Sequence, residues 1–157
     1  PGIKRSRMKP NAPVIRTATN SPWSVVSMLK GSCLCGKITI TVEGQLEHQA
    51  EACHCVQCRK HSGSFLTGVN VRKTRLTLMG EEYVGWYCSS DKVDRGFCSN
   101  CGSTLFWKPN MDGYEWISVA MGVFDEPTGT RLSKHTFVGE KGDYYSLEDE
   151  LPKSDSF

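Results

Sequence analysis

Short stretches in which apolar and polar residues alternate recur along most of the chain. In Lys37–Val42, the residues Ile38, Ile40 and Val42 alternate with polar residues, the two-residue period of a strand with one buried face. Glycine, asparagine and aspartate separate such stretches, as expected at turns. Further strands are predicted at Leu66–Arg72, Arg75–Met79, Tyr83–Cys88, Val93–Phe97, Thr104–Trp107, Trp116–Met121 and Lys134–Val138, with Trp23–Leu29 as a first or added edge strand.

Helical periodicity is scarce. Only Val56–Ser62 and Tyr145–Leu151 have the composition for a helical turn or two. No repeat of fixed period is present, and no apolar run approaches the roughly 20 residues of a membrane-spanning helix. The pattern therefore predicts an all-β fold with minor helix and no membrane span.

The length and composition indicate one globular domain behind a leader. The chain has 157 residues, of which 38% are hydrophobic and 23% charged, enough for a substantial core. Residues 1–22 contain four prolines, scattered basic residues and little apolar periodicity, which predicts a flexible leader. Residues 23–157 are expected to form the folded domain.

Charge is distributed unevenly between these parts. Six of the 19 basic residues lie in residues 1–30, which have no acidic residue, so residues 31–157 carry 13 basic and 17 acidic residues. A nucleic-acid-binding domain normally presents a basic face of its own. Nucleic acid is therefore not expected as a partner of the folded domain.

Eight cysteines are the main chemical feature of the sequence. They lie in C-x-C and C-x-x-C groups, which favour metal binding over a disulfide scaffold. No secretory signal pattern precedes them, so a reducing compartment is expected, cytoplasmic or nuclear. Seven of them form three groups: Cys33 and Cys35; Cys53, Cys55 and Cys58; Cys98 and Cys101.

Seven clustered cysteines divide into a set of four and a set of three. Zinc in structural sites has four protein ligands, whereas catalytic zinc has three and an open position. Spacing favours Cys33, Cys35, Cys98 and Cys101 as the closed set, without excluding other pairings. The set of three then has an open position. His54 could fill it in principle, but in an extended segment its side chain is expected to point away from Cys53 and Cys55.

The sequence predicts less specific roles for the remaining cations, histidines and eighth cysteine. The cations Arg59 and Lys60 are either solvated or positioned to attract an anionic substrate. The eighth cysteine, Cys88, is expected to be a buried free thiol. Surface or structural roles are expected for the remaining histidines, His48, His61 and His135.

Three linked motifs resemble the glutathione-dependent formaldehyde-activating enzyme (Gfa) family, which includes centromere protein V. They are Gly31–Gly36 (GSCLCG), Cys53–Lys60 (CHCVQCRK) and Phe97–Ser103 (FCSNCGS), in that order. The resemblance covers about residues 31–138. It implies a β-tent fold of several small antiparallel sheets around a structural zinc.

The same resemblance implies two Zn²⁺ ions per chain. Cys33, Cys35, Cys98 and Cys101 match the structural four-cysteine site, and Cys53, Cys55 and Cys58 match the catalytic three-cysteine site. The implied activity is that of a carbon–sulfur lyase or thiol–aldehyde adduct synthase, such as formation of S-hydroxymethylglutathione. The substrates would be a small thiol and an aldehyde or thioether. Tyr144 and Tyr145 depart from the family pattern, which has a tryptophan in this region.

Two alternatives remain open from the sequence. The zinc site can serve another small-molecule intermediate with a thiol or carbonyl group. The fold can also be a zinc-stabilised binding module without catalysis.

Overall fold

The computed structural model describes residues 27–157. The leader and most of the predicted strand Trp23–Leu29 lie outside these residues. The described part contains eleven strands and one α-helix, along with short 3₁₀ turns. The elements are β1 Met28–Ser32, β2 Thr39–Glu43, β3 Ala50–Cys53, α1 Val56–Ser62, β4 Leu66–Arg72, β5 Leu76–Met79, β6 Val84–Ser90, β7 Val93–Cys98, β8 Thr104–Pro109, β9 Trp116–Ala120, β10 Leu132–Thr136 and β11 Lys153–Ser154.

These elements confirm the all-β prediction with minor helix. Helix α1 has the predicted bounds, and its C-cap Gly63 adopts the left-handed conformation with φ 82°, which glycine tolerates best. Strand β3 was not predicted, because Ala50–Cys53 is short and two of its residues are alanines.

The predicted helix Tyr145–Leu151 is wrong. This segment is irregular and is followed by β11. Pro152 comes directly after Leu151 and disfavours helical geometry in the preceding residue. Contacts of Tyr145 and Asp149 with buried histidines hold the segment in its irregular path.

The strands form two sheets. The smaller has the order β1-β2-β5, and the larger has the order β11-β10-β3-β4-β9-β8-β7-β6. Strand β10 is parallel to both of its neighbours, β3 and β11. The remaining pairs are antiparallel.

The core contains the inward faces of both sheets. Ile38, Ile40 and Val42 are fully buried, as their alternation predicts. From the larger sheet, Val69 and Phe106 join the same apolar cluster. Among residues 27–157, no helix is long and apolar enough to cross a membrane.

Candidate metal centres

The first cysteine cluster joins two loops that are distant in sequence. Cys33 and Cys35 lie in the turn that follows β1, whereas Cys98 ends β7 and Cys101 lies in the turn before β8. The Leu34 amide donates a hydrogen bond of 2.9 Å to the Ser103 hydroxyl, which ties the two turns together.

The spacing of these sulfurs fits a tetrahedral metal ion. All four Sγ atoms lie within 4.8 Å of one another. The Cys33–Cys35 and Cys35–Cys98 Sγ distances are 3.5 and 3.8 Å. In a zinc tetrahedron with bonds of about 2.3 Å, the sulfurs lie about 3.8 Å apart. This cluster can therefore hold one zinc ion as the sequence predicts.

The pKa values of the thiols in the same cluster also favour binding of a cation. A hydrogen bond with the Ser103 hydroxyl lowers the pKa of Cys101 to about 5, whereas burial raises the pKa of Cys98 to about 11. Four adjacent thiolates repel one another, so a divalent cation is needed for all of them to ionise.

The second cluster forms where β3 leads into α1. Cys53 ends the strand, Cys55 is the N-cap of the helix and Cys58 is its buried residue. The Cys55 sulfur accepts a hydrogen bond of 3.4 Å from the Cys58 amide. The three Sγ atoms lie within 4.8 Å of one another, and no fourth histidine, cysteine or carboxylate of residues 27–157 joins them. This donor set also fits a metal ion that has an open position.

The thiols of Cys53 and Cys58 have opposite pKa shifts. A hydrogen bond with the Cys58 thiol lowers the pKa of Cys53 to about 6, and the same bond raises the pKa of Cys58.

The buried guanidinium of Arg95 contacts the second cluster. Its residue is only 4% exposed, and its Nη1 lies 3.6 Å from the Cys58 sulfur. Its Nη2 donates to the Gln57 side-chain oxygen at 3.0 Å. Arg95 was not identified from the sequence, because its position in a strand gives no signal of this long-range contact.

A cavity of about 350 Å³ opens beside the second cluster. This volume lies within the usual range of small-molecule sites, roughly 300–1,000 Å³. Cys53 and Cys58 lie on its wall. Neither Arg59 nor Lys60 does, and the charged residues of the described chain that line it are Glu51 and Lys134. Sequence reasoning missed both, because they approach each other only through the β3–β10 pairing.

His54 points away from the cysteines, as predicted from its position between two of them. It is fully buried, and its Nε2 lies 2.8 Å from His135 Nδ1. Its Nδ1 lies 2.6 Å from the Tyr145 hydroxyl. His135 Nε2 in turn lies 2.9 Å from an Asp149 carboxylate oxygen. Burial lowers the pKa of His54. We call these four residues the histidine network.

The prediction that Cys88 is buried is wrong. This free thiol is exposed, and its sulfur donates to the Ser90 carbonyl oxygen at 3.2 Å. Strand β6 is the edge of the larger sheet and is irregular between Cys88 and Ser90. Because β6 has a neighbouring strand on only one side, its side chains are less covered than those of a central strand. The apolar composition of Tyr83–Cys88 therefore did not imply that Cys88 is buried.

The fold and the two cysteine clusters define a β protein with two candidate metal-binding sites. The sequence profile of the family described as glutathione-dependent formaldehyde-activating enzyme matches residues 28–140. The chain therefore belongs to this family.

Two curated relatives carry related names. An uncharacterised lyase of Schizosaccharomyces pombe is 33% identical over 78 residues, which are 50% of this chain and 56% of the relative. A putative glutathione-dependent formaldehyde-activating enzyme of Halomonas elongata is 30% identical over 86 residues, or 50% of this chain and 55% of that protein. The matched region thus spans about half the length of each relative.

A solved structure supports the fold. The crystal structure of a Rhodobacter sphaeroides protein aligns with a TM-score of 0.52 at 24% sequence identity. The alignment covers 62% of this chain and 89% of that one. At this identity the similarity concerns the fold alone.

Proposed function

We propose that this protein is a zinc-dependent carbon–sulfur lyase or thiol–aldehyde adduct synthase. The observation that carries the proposal is the position of the three-cysteine cluster, with Cys53 and Cys58 on the wall of a cavity of about 350 Å³. Membership of the formaldehyde-activating family and the name of the Halomonas relative support a thiol and an aldehyde as substrates.

The two clusters would have different roles. Cys33, Cys35, Cys98 and Cys101 would hold a structural zinc, and Cys53, Cys55 and Cys58 would hold a catalytic one. Zinc at the second site supplies Lewis acidity and favours the thiolate form of a substrate thiol.

The chain itself would position the reactants. The cavity confines the thiol and the aldehyde beside the second cluster, which raises their effective concentration. In the synthetic direction the sulfur–hydrogen bond breaks, a sulfur–carbon bond forms at the carbonyl carbon, and the proton passes to the carbonyl oxygen. The lyase direction is the reverse of this addition.

The test is to remove one sulfur from the second cluster. Cys55→Ser should reduce the zinc content from two ions per chain towards one and abolish turnover of formaldehyde with glutathione. The fold should persist, because the first cluster is untouched. Cys88→Ser is the matched control, since Cys88 is a free, exposed cysteine outside both clusters, and it should retain both zinc ions and full turnover.

Metal analysis, circular dichroism and product formation measured on the same samples separate the outcomes. Turnover that persists in Cys55→Ser with one zinc bound would exclude the three-cysteine cluster as the reaction site. Wild-type protein that binds two zinc ions but makes no adduct with any thiol would exclude the proposed reaction itself.

A further inference from the structure

Glu51 and Lys134 form an ion pair on the wall of the cavity. Lys134 Nζ lies 3.3 Å from Glu51 Oε1, and the two side chains are 37% (Glu51) and 35% (Lys134) exposed. They are register partners across the parallel pair β3–β10. Every other lining residue is uncharged or belongs to the cysteine cluster, among the residues that the structure describes.

The pair lies at a defined distance from the reactive end of the cavity. Cys53 and Thr136 are the next register partners on the same face of these two strands, and both line the cavity. Two residues along a strand span about 7 Å. A ligand whose sulfur lies against Cys53 therefore meets the ion pair about 7 Å further along the sheet.

We propose that Glu51 and Lys134 determine substrate specificity by binding the zwitterionic amino-acid end of the thiol. The Glu51 carboxylate accepts hydrogen bonds from the α-ammonium group, and the Lys134 ammonium donates to the α-carboxylate. This inference rests on the proposed function, because it assumes that a thiol occupies the cavity with its sulfur at the second cluster.

The geometry favours a zwitterion over a simple anion. One negative and one positive side chain lie side by side. A simple anion would therefore be attracted by Lys134 and repelled by Glu51. A group with an ammonium and a carboxylate on one carbon complements both charges, and such charge-assisted hydrogen bonds are short and strong.

The distance also restricts the length of the thiol. In free cysteine, the carbon that bears the charged groups is bonded directly to the carbon that bears the sulfur. The distance between sulfur and charges is then too short to reach the ion pair. The γ-glutamyl end of glutathione carries its zwitterion several bonds from the sulfur. The substrate class is thus a γ-glutamyl thiol or a thiol of similar length with a free amino-acid end.

The experiment is calorimetric titration of the zinc-loaded protein with glutathione and with N-acetylglutathione, in which the α-ammonium is blocked. Wild type should bind N-acetylglutathione about tenfold more weakly, the factor expected for one charge-assisted hydrogen bond. Glu51→Gln should bind glutathione about tenfold more weakly and no longer distinguish the two ligands. Lys134→Gln should weaken binding of both.

Controls separate the specific role from a structural one. Asp94 and Lys108 form an ion pair of 3.1 Å outside the cavity, and Asp94→Asn and Lys108→Gln should bind both ligands as wild type does. The double variant Glu51→Gln/Lys134→Gln should keep the melting temperature within a few degrees of wild type, because the ion pair is partly exposed and such pairs contribute little stability.

The outcomes distinguish this inference from the proposed function. If wild type binds neither glutathione nor N-acetylglutathione, the inferred substrate class is overturned, whereas the proposed function fails only if no thiol forms an adduct. If wild type binds glutathione and the Glu51 and Lys134 variants bind it equally well, with the same discrimination against N-acetylglutathione, the specificity role is overturned while the proposed function stands.

Discussion

Gly31 lies in β1 at a close approach to the turn that contains Val123. A Cβ atom at position 31 would clash with the Val123 carbonyl oxygen, whereas a Cβ at Gly122 would have no heavy atom within 4 Å. Gly31 also forms an isolated bridge with Phe124. Glycine, which has no Cβ atom, is therefore required two positions before Cys33.

Gly31→Ala should lower the free energy of unfolding by about 1–3 kcal/mol, the usual effect of overpacking against a rigid neighbour. Gly122→Ala is the matched control and should change it by less than about 0.5 kcal/mol. Chemical denaturation of both zinc-loaded variants measures the difference. Equal stability of the two variants would contradict the proposed close approach.

At the level of elements, the histidine network attaches the segment after β10 to the strand that bears the second cluster. Tyr145 and Asp149 come from this segment, His54 follows β3 directly, and His135 lies in β10. The segment continues to Phe157, whose side chain lines the cavity. The network thus links the wall of the cavity to the backbone of the cysteine cluster.

Tyr145→Phe should destabilise the protein by about 1–2 kcal/mol, because the buried His54 Nδ1 loses its partner. The adjacent Tyr144 is 61% exposed, so Tyr144→Phe should leave the melting temperature unchanged. Thermal unfolding of the two variants under identical zinc loading provides the comparison. An unchanged melting temperature for Tyr145→Phe would show that the network contributes no net stability.

At the scale of the whole molecule, the four-cysteine cluster connects the two sheets. Cys33 follows β1 of the smaller sheet, and Cys98 ends β7 of the larger one. Both belong to the buried apolar cluster. A metal ion at this position would therefore crosslink parts of the chain that are more than 60 residues apart, as the separation of Cys35 and Cys98 shows.

Cys98→Ser should produce unfolded or aggregated protein, because binding of a structural metal contributes directly to the free energy of folding. Cys55→Ser, in contrast, should remain folded with one zinc ion. Circular dichroism and metal analysis of the two variants test this difference. A Cys98→Ser protein that melts within a degree or two of wild type would contradict the structural assignment of the first cluster.

Local spacing was sufficient to predict most of the strands, though not β3 or β11, together with helix α1 and the grouping of the cysteines. Alternation in Lys37–Val42 predicted burial of Ile38, and C-x-C and C-x-x-C spacings place sulfurs close together through the geometry of a few residues. The structure brings together the predicted sets of four and three. The leader boundary near residue 22 stays a prediction, because these residues lie outside those described.

Only the tertiary structure decided which distant residues surround the clusters. Arg95 contacts Cys58 from β7, and Lys134 meets Glu51 through the parallel pairing of β10 with β3. Cys88 is exposed because its strand is at the edge of the sheet. Neighbouring residues constrain one another through backbone geometry. Strand order and register instead depend on how the whole set of apolar faces packs, and no local segment encodes that by itself.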